Sequence, residues 1–177
     1  MEKIFYENEY VLWLEFDEAV TSFLNNKCNT LEKNNIPSGI RPPHLTMAFV
    51  RCDDEDLLQK AVAEFFEKVN QLSVTINSIG LFPGGIVFYE PQVTLELLQL
   101  HKELSNALSN VGILSWDLYL PSNWKAHIAL TGLLNNSDIN TAITIMSDGF
   151  SCLTSEKVIV KLRRCFNGKE VVNKIIS

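Results

Sequence analysis

Two short stretches decide the fold of this chain, HLTMAFV at residues 44–50 and HIALT at residues 127–131. Each begins with one of the three histidines of the sequence and continues with residues typical of β-strands. Successive side chains of a strand point to opposite faces, so each stretch has a bulky apolar face for a core. The other face is predicted to carry His44, Thr46 and Ala48 in the first stretch and His127, Ala129 and Thr131 in the second. Small residues beside a histidine leave room for a substrate.

Similar elements surround both histidine stretches. In the first half we predict a strand at 10–16, a helix from Asp17 to residue 31, the histidine strand at 44–50, a helix at 53–69 and a strand at 72–82. In the second half we predict a strand at 86–89, a helix at 94–111 and a strand at 116–120. The histidine strand at 125–131, a helix at 137–146 capped by Ser137 and a strand at 158–166 follow. We therefore expect a single domain over residues 1–177, with an internal pseudo-repeat of about 8–82 and 86–166 and two lobes that share a cleft.

The composition is ordinary for a globular protein, with 46% hydrophobic and 20% charged residues. The sequence has neither an apolar run long enough for a transmembrane helix nor the start of a signal peptide, so we expect a cytoplasmic protein without a membrane partner. The four cysteines are scattered and without metal-finger spacing, which predicts reduced, buried thiols: Cys28, Cys52, Cys152 and Cys165.

The net charge of −6 argues against a protein that tracks a DNA duplex, because such proteins present a basic face to the phosphates. A local basic stretch does occur near the end of the chain: Lys157, Lys161, Arg163, Arg164, Lys169 and Lys174. Charges that protect a strand edge from aggregation are an equally good interpretation of it. The overall balance favours a small nucleotide or the end of an RNA as the partner, and it gives no indication of oligomeric state.

The segments PHLTM at 43–47 and AHIAL at 126–130 resemble the duplicated histidine–any–threonine/serine–hydrophobic motif of the two-histidine (2H) phosphoesterases. This superfamily includes the bacterial RNA 2′,3′-cyclic phosphodiesterases, long called 2′-5′ RNA ligases. The segments GLFPGG at 80–85 and LHKEL at 100–104 also look like this family. The resemblance implies an α+β fold of two lobes related by a pseudo-twofold axis. Each lobe is then a mainly antiparallel sheet with outer helices, and the active site is the cleft between the lobes.

The resemblance also implies a metal-independent phosphodiesterase that acts on 2′,3′-cyclic phosphate ends or 2′-5′ linkages, with 2′-5′ ligation as the reverse reaction. His44 and His127 would be its acid and base, in an order that the sequence leaves open, because two imidazoles titrate near neutrality. Thr46 would donate to a non-bridging phosphate oxygen. We expect no cofactor and no metal, because no histidine lies within helical or turn reach of another histidine or a carboxylate pair.

Ala129 departs from the motif, which has threonine or serine at this position. Thr131 lies on the same predicted face, but roughly 7 Å further along the strand. The chain is therefore expected to be slow on simple 2′,3′-cyclic nucleotides unless another donor takes the place of the hydroxyl.

Four further residues are weaker candidates for the site. Tyr119 and Trp124 are candidates to stack on a base, with aromatic core or rim as the alternative. Arg164 lies on the same face of its predicted strand as Val158, Val160 and Leu162. A charged residue on this apolar face suggests a phosphate contact if the face meets the cleft. His101 falls on a leucine stripe at helical spacing, and we expect it to be a packed helix residue.

Two other functions compete with a phosphodiesterase. The first is a non-catalytic or weakly active module that binds a nucleotide or phosphoester on the same fold, and Ala129 is its main support. The second is a structural or interaction protein, which the pairing of the two histidines disfavours.

Overall fold

The computed structural model describes residues 5–176. Within this range the elements are β1 (Glu9–Phe16), α1 (Glu18–Lys33), β2 (Leu45–Arg51), α2 (Glu55–Phe66), β3 (Val74–Phe82), β4 (Ile86–Pro91), α3 (Leu95–Ser109), β5 (Ile113–Leu114), a 3₁₀ turn (Asp117–Tyr119), β6 (Ile128–Ala129), α4 (Asn136–Ser147), β7 (Leu153–Ser155), β8 (Val158–Arg164) and β9 (Glu170–Ile176).

The strands form two antiparallel sheets, with the orders β5-β2-β1-β8-β9 and β6-β4-β3-β7. Each sheet holds one histidine strand, β2 or β6, beside the strand that opens its half of the chain, β1 or β4. On the far side of β1 lies β8, from the second half, and on the far side of β4 lies β3, from the first. The two halves thus exchange one strand each. The predicted α+β class with two lobes and antiparallel sheets is confirmed.

The alternation of β1 places the core on one side of the first sheet and the cleft on the other. Tyr10, Leu12, Leu14 and Phe16 are almost completely buried in the common core. Val11 and Trp13, on the opposite face, line the cleft. The helix that follows begins where the Asp17 carboxylate accepts a hydrogen bond from the backbone amide of Val20 at 3.0 Å, as its capping position predicts.

A bulge in β2 corrects the predicted face of this strand. Leu12 pairs with Ala48 and Trp13 with Thr46, so Met47 is the extra residue. Side chains after the bulge change face, because a one-residue slip reverses the alternation. Ala48 therefore lies in the core, not beside His44, and Phe49 lines the cleft.

Three other predictions about elements were incomplete or wrong. Residues 116–120 do not form a strand: the backbone amide of Tyr119 bonds the carbonyl of Trp116 at 2.9 Å, which closes a 3₁₀ turn. Asn135 and not Ser137 caps α4, since its side chain accepts from the amide of Asp138 at 3.0 Å. The strands β5, β7 and β9 were not predicted, because all three are either very short or lie outside the expected repeat.

A loop of the first half ties the two lobes together. The amide of Gly39 donates to the carbonyl of Leu130 at 2.8 Å, and the amide of Gly132 donates to the carbonyl of Pro37 at 3.0 Å. Ser38 forms a β-bridge with Thr131 between these two bonds. A side chain at position 39 would bring its Cβ within 2.9 Å of the backbone oxygen of Ala129, so this close approach requires glycine.

All four cysteines are free thiols. Cys28 and Cys52 are buried as expected, whereas Cys165 is half-buried and Cys152 is exposed. Between residues 5 and 176, no helix combines the length and the apolar character that crossing a membrane requires.

Candidate active site

A cleft of about 370 Å³ contains both histidines. His44 enters from the residue that precedes β2, and His127 from the residue that precedes β6. Thr46 and Ala129, two positions further along each strand, line the same cleft. The site is thus built from the corresponding ends of the two histidine strands.

The two imidazoles are held in the same way. The Nδ1 of His44 lies 2.7 Å from the carbonyl oxygen of Pro42, and the Nδ1 of His127 lies 2.7 Å from the carbonyl oxygen of Lys125. A carbonyl only accepts hydrogen bonds, so Nδ1 carries the proton in each ring. Nε2 of each neutral ring is therefore a base, and Nε2 of each protonated ring is an acid.

His44 has a flat aromatic neighbour. The indole of Trp13 stacks on its imidazole with the ring centroids 4.1 Å apart and the planes 21° from parallel. Burial lowers the pKa of His44 to about 4, against the opposing effect of the Pro42 hydrogen bond. His127 is close enough for its charge to lower the pKa of His44 further.

His127 lies in a different environment. Phe82 and Phe88 meet its ring edge to face, with centroid distances of 4.8 and 5.7 Å. Burial lowers the pKa of His127 below 6.5, and the nearby Lys125 ammonium adds to this effect. Both histidines of the cleft are consequently held toward the neutral form.

The two histidine motifs differ in their hydroxyl groups. Thr46 lines it, and Ala129 offers no donor at the corresponding position of the other strand. Thr131 is buried away from it, where its hydroxyl accepts from the backbone amide of Val87 at 2.9 Å. Tyr119 lines the cleft, and its side chain shares a hydrogen bond with that of Thr46.

Two consecutive arginines of β8 point in opposite directions. Arg164 pairs with Tyr10 on the core face of the sheet, and its guanidinium forms an ion pair with Glu55. That hydrogen bond is the main reason that the pKa of Glu55 falls to about 2. Arg163 pairs with Val11 on the cleft face, and its guanidinium lies over the Trp13 ring at 5.3 Å. Both arginines line the cleft, but the Arg164 guanidinium is engaged by Glu55, whereas Arg163 faces Trp13 and donates through Nε to the carbonyl of Gly168 at 2.9 Å.

Trp124 and His101 lie behind the histidine strand. Their rings stack at 4.0 Å, and both bond to the backbone of β2. The indole nitrogen of Trp124 donates to the carbonyl of Thr46 at 3.0 Å, and Nε2 of His101 lies 2.9 Å from the carbonyl of Met47. His101 is a packed helix residue, as predicted. Trp124 supports the strand and is not among the described residues that line the cleft.

Sequence reasoning missed an aromatic wall of the cleft. Phe49 and Trp116 stack at 3.9 Å with their planes 6° apart, and Phe5 continues the stack at 5.9 Å from Trp116. The bulge concealed the direction of Phe49. The place of Trp13 in the cleft could have been predicted from the sequence. Glu15 indicates which face of β1 points away from the core, and Trp13, two residues earlier, lies on the same face.

Three of the six residues in the basic stretch near the end of the chain form ion pairs with acids. Lys161 bonds Glu170 at 2.7 Å, and Glu55 receives Lys169 as well as Arg164. The stretch is therefore not an open track for a phosphate backbone. Within residues 5–176, no group of three histidine, cysteine, aspartate or glutamate side chains is placed to hold a metal ion.

The chain is similar to known proteins at the level of family and fold. The 2'-5' RNA ligase superfamily matches residues 26–150. Among solved structures, a phosphoesterase is 12% identical with a TM-score of 0.61, over 96% of this chain and 99% of that one. Escherichia coli LigT in complex with 3'-AMP is 11% identical with a TM-score of 0.55, over 96% and 95%.

Kluyveromyces marxianus Usb1 is 8% identical with a TM-score of 0.52, over 96% of this chain and 98% of that one. No curated protein sequence matches the chain. At these identities the solved structures establish a shared fold, and the match over residues 26–150 covers well over half of the sequence. The chain belongs to the 2'-5' RNA ligase superfamily of two-histidine phosphoesterases.

Proposed function

We propose that the protein is a metal-independent phosphodiesterase that hydrolyses RNA-derived phosphodiesters at 2′,3′-cyclic ends or 2′-5′ linkages. One observation carries the proposal: two histidines with the same tautomer, each fixed through Nδ1, line a single cleft. This arrangement provides two Nε2 atoms for proton transfer on either side of a phosphorus atom.

The chemistry requires one proton to be removed and one to be supplied. One imidazole takes a proton from water as the water oxygen attacks phosphorus. The other, protonated at Nε2, gives its proton to the ribose oxygen as the P–O bond breaks. Negative charge that develops on the non-bridging oxygens is stabilised by Thr46 and by Arg163. Attack by a ribose hydroxyl in place of water would run the same steps toward a 2′-5′ linkage.

The walls of the cleft favour a nucleotide or the end of an RNA over a long polymer. Trp13, Phe49 and Trp116 line the cleft with aromatic surface against which a base can pack. Arg163 is a cation inside the cleft, whereas Lys161, Lys169 and Arg164 are engaged with acids. LigT, which shares the fold, has been crystallised with 3'-AMP, and this agrees with a mononucleotide-sized ligand.

A binding module without turnover is the second candidate, and Ala129 is the observation that favours it. The cleft has lost one motif hydroxyl, so a ligand phosphate has one fewer partner there. Such a module would still hold the nucleotide through the aromatic wall and Arg163.

Turnover in excess chelator separates the two candidates. We expect hydrolysis of 2′,3′-cyclic AMP or of a 2′-5′-linked diadenylate in the presence of EDTA. His44→Ala and His127→Ala should each lower the rate by roughly 10²–10⁴-fold. The matched control is His101→Gln, which alters the third histidine behind the strand and should retain most of the activity. Binding of 3'-AMP with no turnover of any substrate would favour the module.

A further inference from the structure

We propose that the hydroxyl of Tyr119 is the second phosphate donor of the site, in the place of the hydroxyl that Ala129 lacks. The proposal rests on the proposed function, since it assigns a role in binding the same phosphate. It concerns a residue outside both histidine motifs.

Tyr119 lies between the two motifs. Its ring centroid is 6.2 Å from that of His127, in the second half, and its side chain shares a hydrogen bond with Thr46, in the first. The two hydroxyls are therefore adjacent, at a point of the cleft that the second histidine also reaches. A phosphate between the histidines would meet Thr46 and Tyr119 together.

The ring of Tyr119 is fixed before any ligand arrives. It packs at 5.0 Å against Phe49 and at 6.1 Å against Trp116. Its backbone closes the 3₁₀ turn, and the side chain of Asn123 bonds the carbonyl of Asp117 in the same turn at 3.0 Å. A donor held in this way loses little freedom when it binds, which is what stabilisation of a developing charge requires.

The hydroxyl also keeps its proton. Burial raises the pKa of Tyr119 above its ordinary value of 10, and the hydrogen bond from Thr46 opposes this only in part. The phenol is therefore neutral at every working pH, so it donates a hydrogen bond without repelling the phosphate anion.

The other hydroxyl and amide groups near Ala129 are less suitable. Thr131 is committed to the backbone of Val87. Asn123 donates to Asp117, as described, and neither it nor the exposed Ser122 is among the described residues that line the cleft. Tyr119 is the lining residue that combines a hydroxyl, a fixed ring and proximity to both motifs.

A double-mutant cycle tests the assignment. Tyr119→Phe removes the hydroxyl and keeps the ring, and we expect it to lower kcat/KM for 2′,3′-cyclic AMP by about ten- to a hundred-fold. Ala129→Thr should change the natural protein little. In the Tyr119→Phe background, the same substitution should restore at least part of the lost rate, since it returns a hydroxyl to the cleft. Tyr6→Phe, at an exposed tyrosine packed under Arg51, is the control.

The outcomes separate this proposal from the proposed function. Full activity of Tyr119→Phe beside inactive His44→Ala and His127→Ala would overturn the role of Tyr119 and leave the phosphodiesterase intact. If the natural protein hydrolyses none of the substrates, the role of Tyr119 is tested by binding instead, with inorganic phosphate titrated into the protein and followed by NMR. Weaker phosphate binding by folded Tyr119→Phe would support the role, and equal binding, or no binding by the natural protein, would overturn it.

Discussion

The indole of Trp13 covers one face of the His44 imidazole at 4.1 Å, and the guanidinium of Arg163 lies over the same indole. An aromatic face attracts a cation, so in the proposed mechanism the stack would stabilise the imidazolium form of His44. It also excludes water from the ring, and burial is the main reason that the pKa of His44 is low. Trp13 is thus a positioning residue for His44.

Replacing Trp13 should change both the rate and its pH dependence. We expect Trp13→Leu to lower kcat by about ten-fold, because the cation–π attraction and the fixed ring orientation are both lost. Water that enters beside His44 should raise its pKa toward 6.5 and move the acidic limb of the kcat/KM profile to higher pH. Trp13→Phe, which keeps an aromatic face, should be closer to the natural protein. An unchanged limb in folded Trp13→Leu would contradict this role.

The natural protein should have its kcat/KM optimum on the acidic side of pH 6.5. Burial lowers the pKa of His44 to about 4 and lowers that of His127 as well, while catalysis needs one ring neutral and one protonated. The profile of kcat should lie at higher pH than that of kcat/KM, since a bound phosphate anion favours both imidazolium ions. Steady-state kinetics between pH 4 and 9 in EDTA checks this. A kcat/KM optimum above pH 7 would be incompatible with it.

His101 should make the folded protein sensitive to mild acid. Burial lowers its pKa to about 4, so between that value and 6.5 the unfolded chain binds the proton and the folded chain does not. The contribution of neutral His101 to the free energy of unfolding is complete above pH 6.5 and is lost as the pH falls toward 4. The loss amounts to about 2 kcal/mol between pH 7 and 5.

Urea denaturation of the natural protein and of His101→Gln at both pH values measures this contribution. The glutamine amide keeps a donor for the carbonyl of Met47 but does not titrate. We expect the fall in the free energy of unfolding to be smaller by about 2 kcal/mol in the variant. Equal falls would show that His101 does not carry the sensitivity.

The neighbouring arginines of β8 offer a matched pair. Arg163→Met should weaken binding of 3'-AMP by about ten-fold or more, because a charged hydrogen-bond donor is lost from the cleft. Arg164→Met should leave binding nearly unchanged and lower the thermal midpoint, since Glu55 loses its ion-pair partner. Calorimetric titration and thermal melts of both variants check this. Weaker binding of 3'-AMP by Arg164→Met, with normal binding by Arg163→Met, would show that Arg164 contacts the phosphate.

Gly39→Ala should disturb the alignment of the lobes. The new Cβ would lie 2.9 Å from the backbone oxygen of Ala129, next to His127, so one of the two segments has to move. We expect kcat to fall several-fold or more, because small displacements of a catalytic group are costly. Gly132→Ala is the control, since its Cβ meets Pro37 at an ordinary 3.8 Å. Similar rates in the two variants would argue against the alignment role.

The sequence predicted those parts of the fold that local periodicity determines. The strand from Tyr10 to Phe16, the cap at Asp17 and the first histidine strand were found because alternation and capping are encoded within a few residues. The second histidine strand, predicted over 125–131, is shorter than expected and covers only Ile128–Ala129. The exchange of β3 and β8 between the sheets is a long-range pairing, and no local pattern specifies it.

The same distinction holds for the site. His44, Thr46, Ala129 and His127 were singled out from two short motifs, and the structure brings them to one cleft. Phe49 was assigned to the wrong face because a bulge depends on the partner strand and not on the sequence of β2 alone. Arg164 was predicted to contact phosphate because it shares the face of apolar residues on its strand. Its ion-pair partner, Glu55, is distant in the sequence, so no local pattern indicates that Arg164 is engaged and Arg163 is not.

The bonds between residues 37–39 and 130–132 have a further consequence. The two histidines belong to separate sheets, so a loop that contains neither of them helps to set the spacing between the proposed acid and base. A change in that loop would widen or narrow the gap without altering any group that transfers a proton. The size of the phosphodiester that fits between the two histidines therefore depends on residues 37–39 as well as on the side chains that line the cleft.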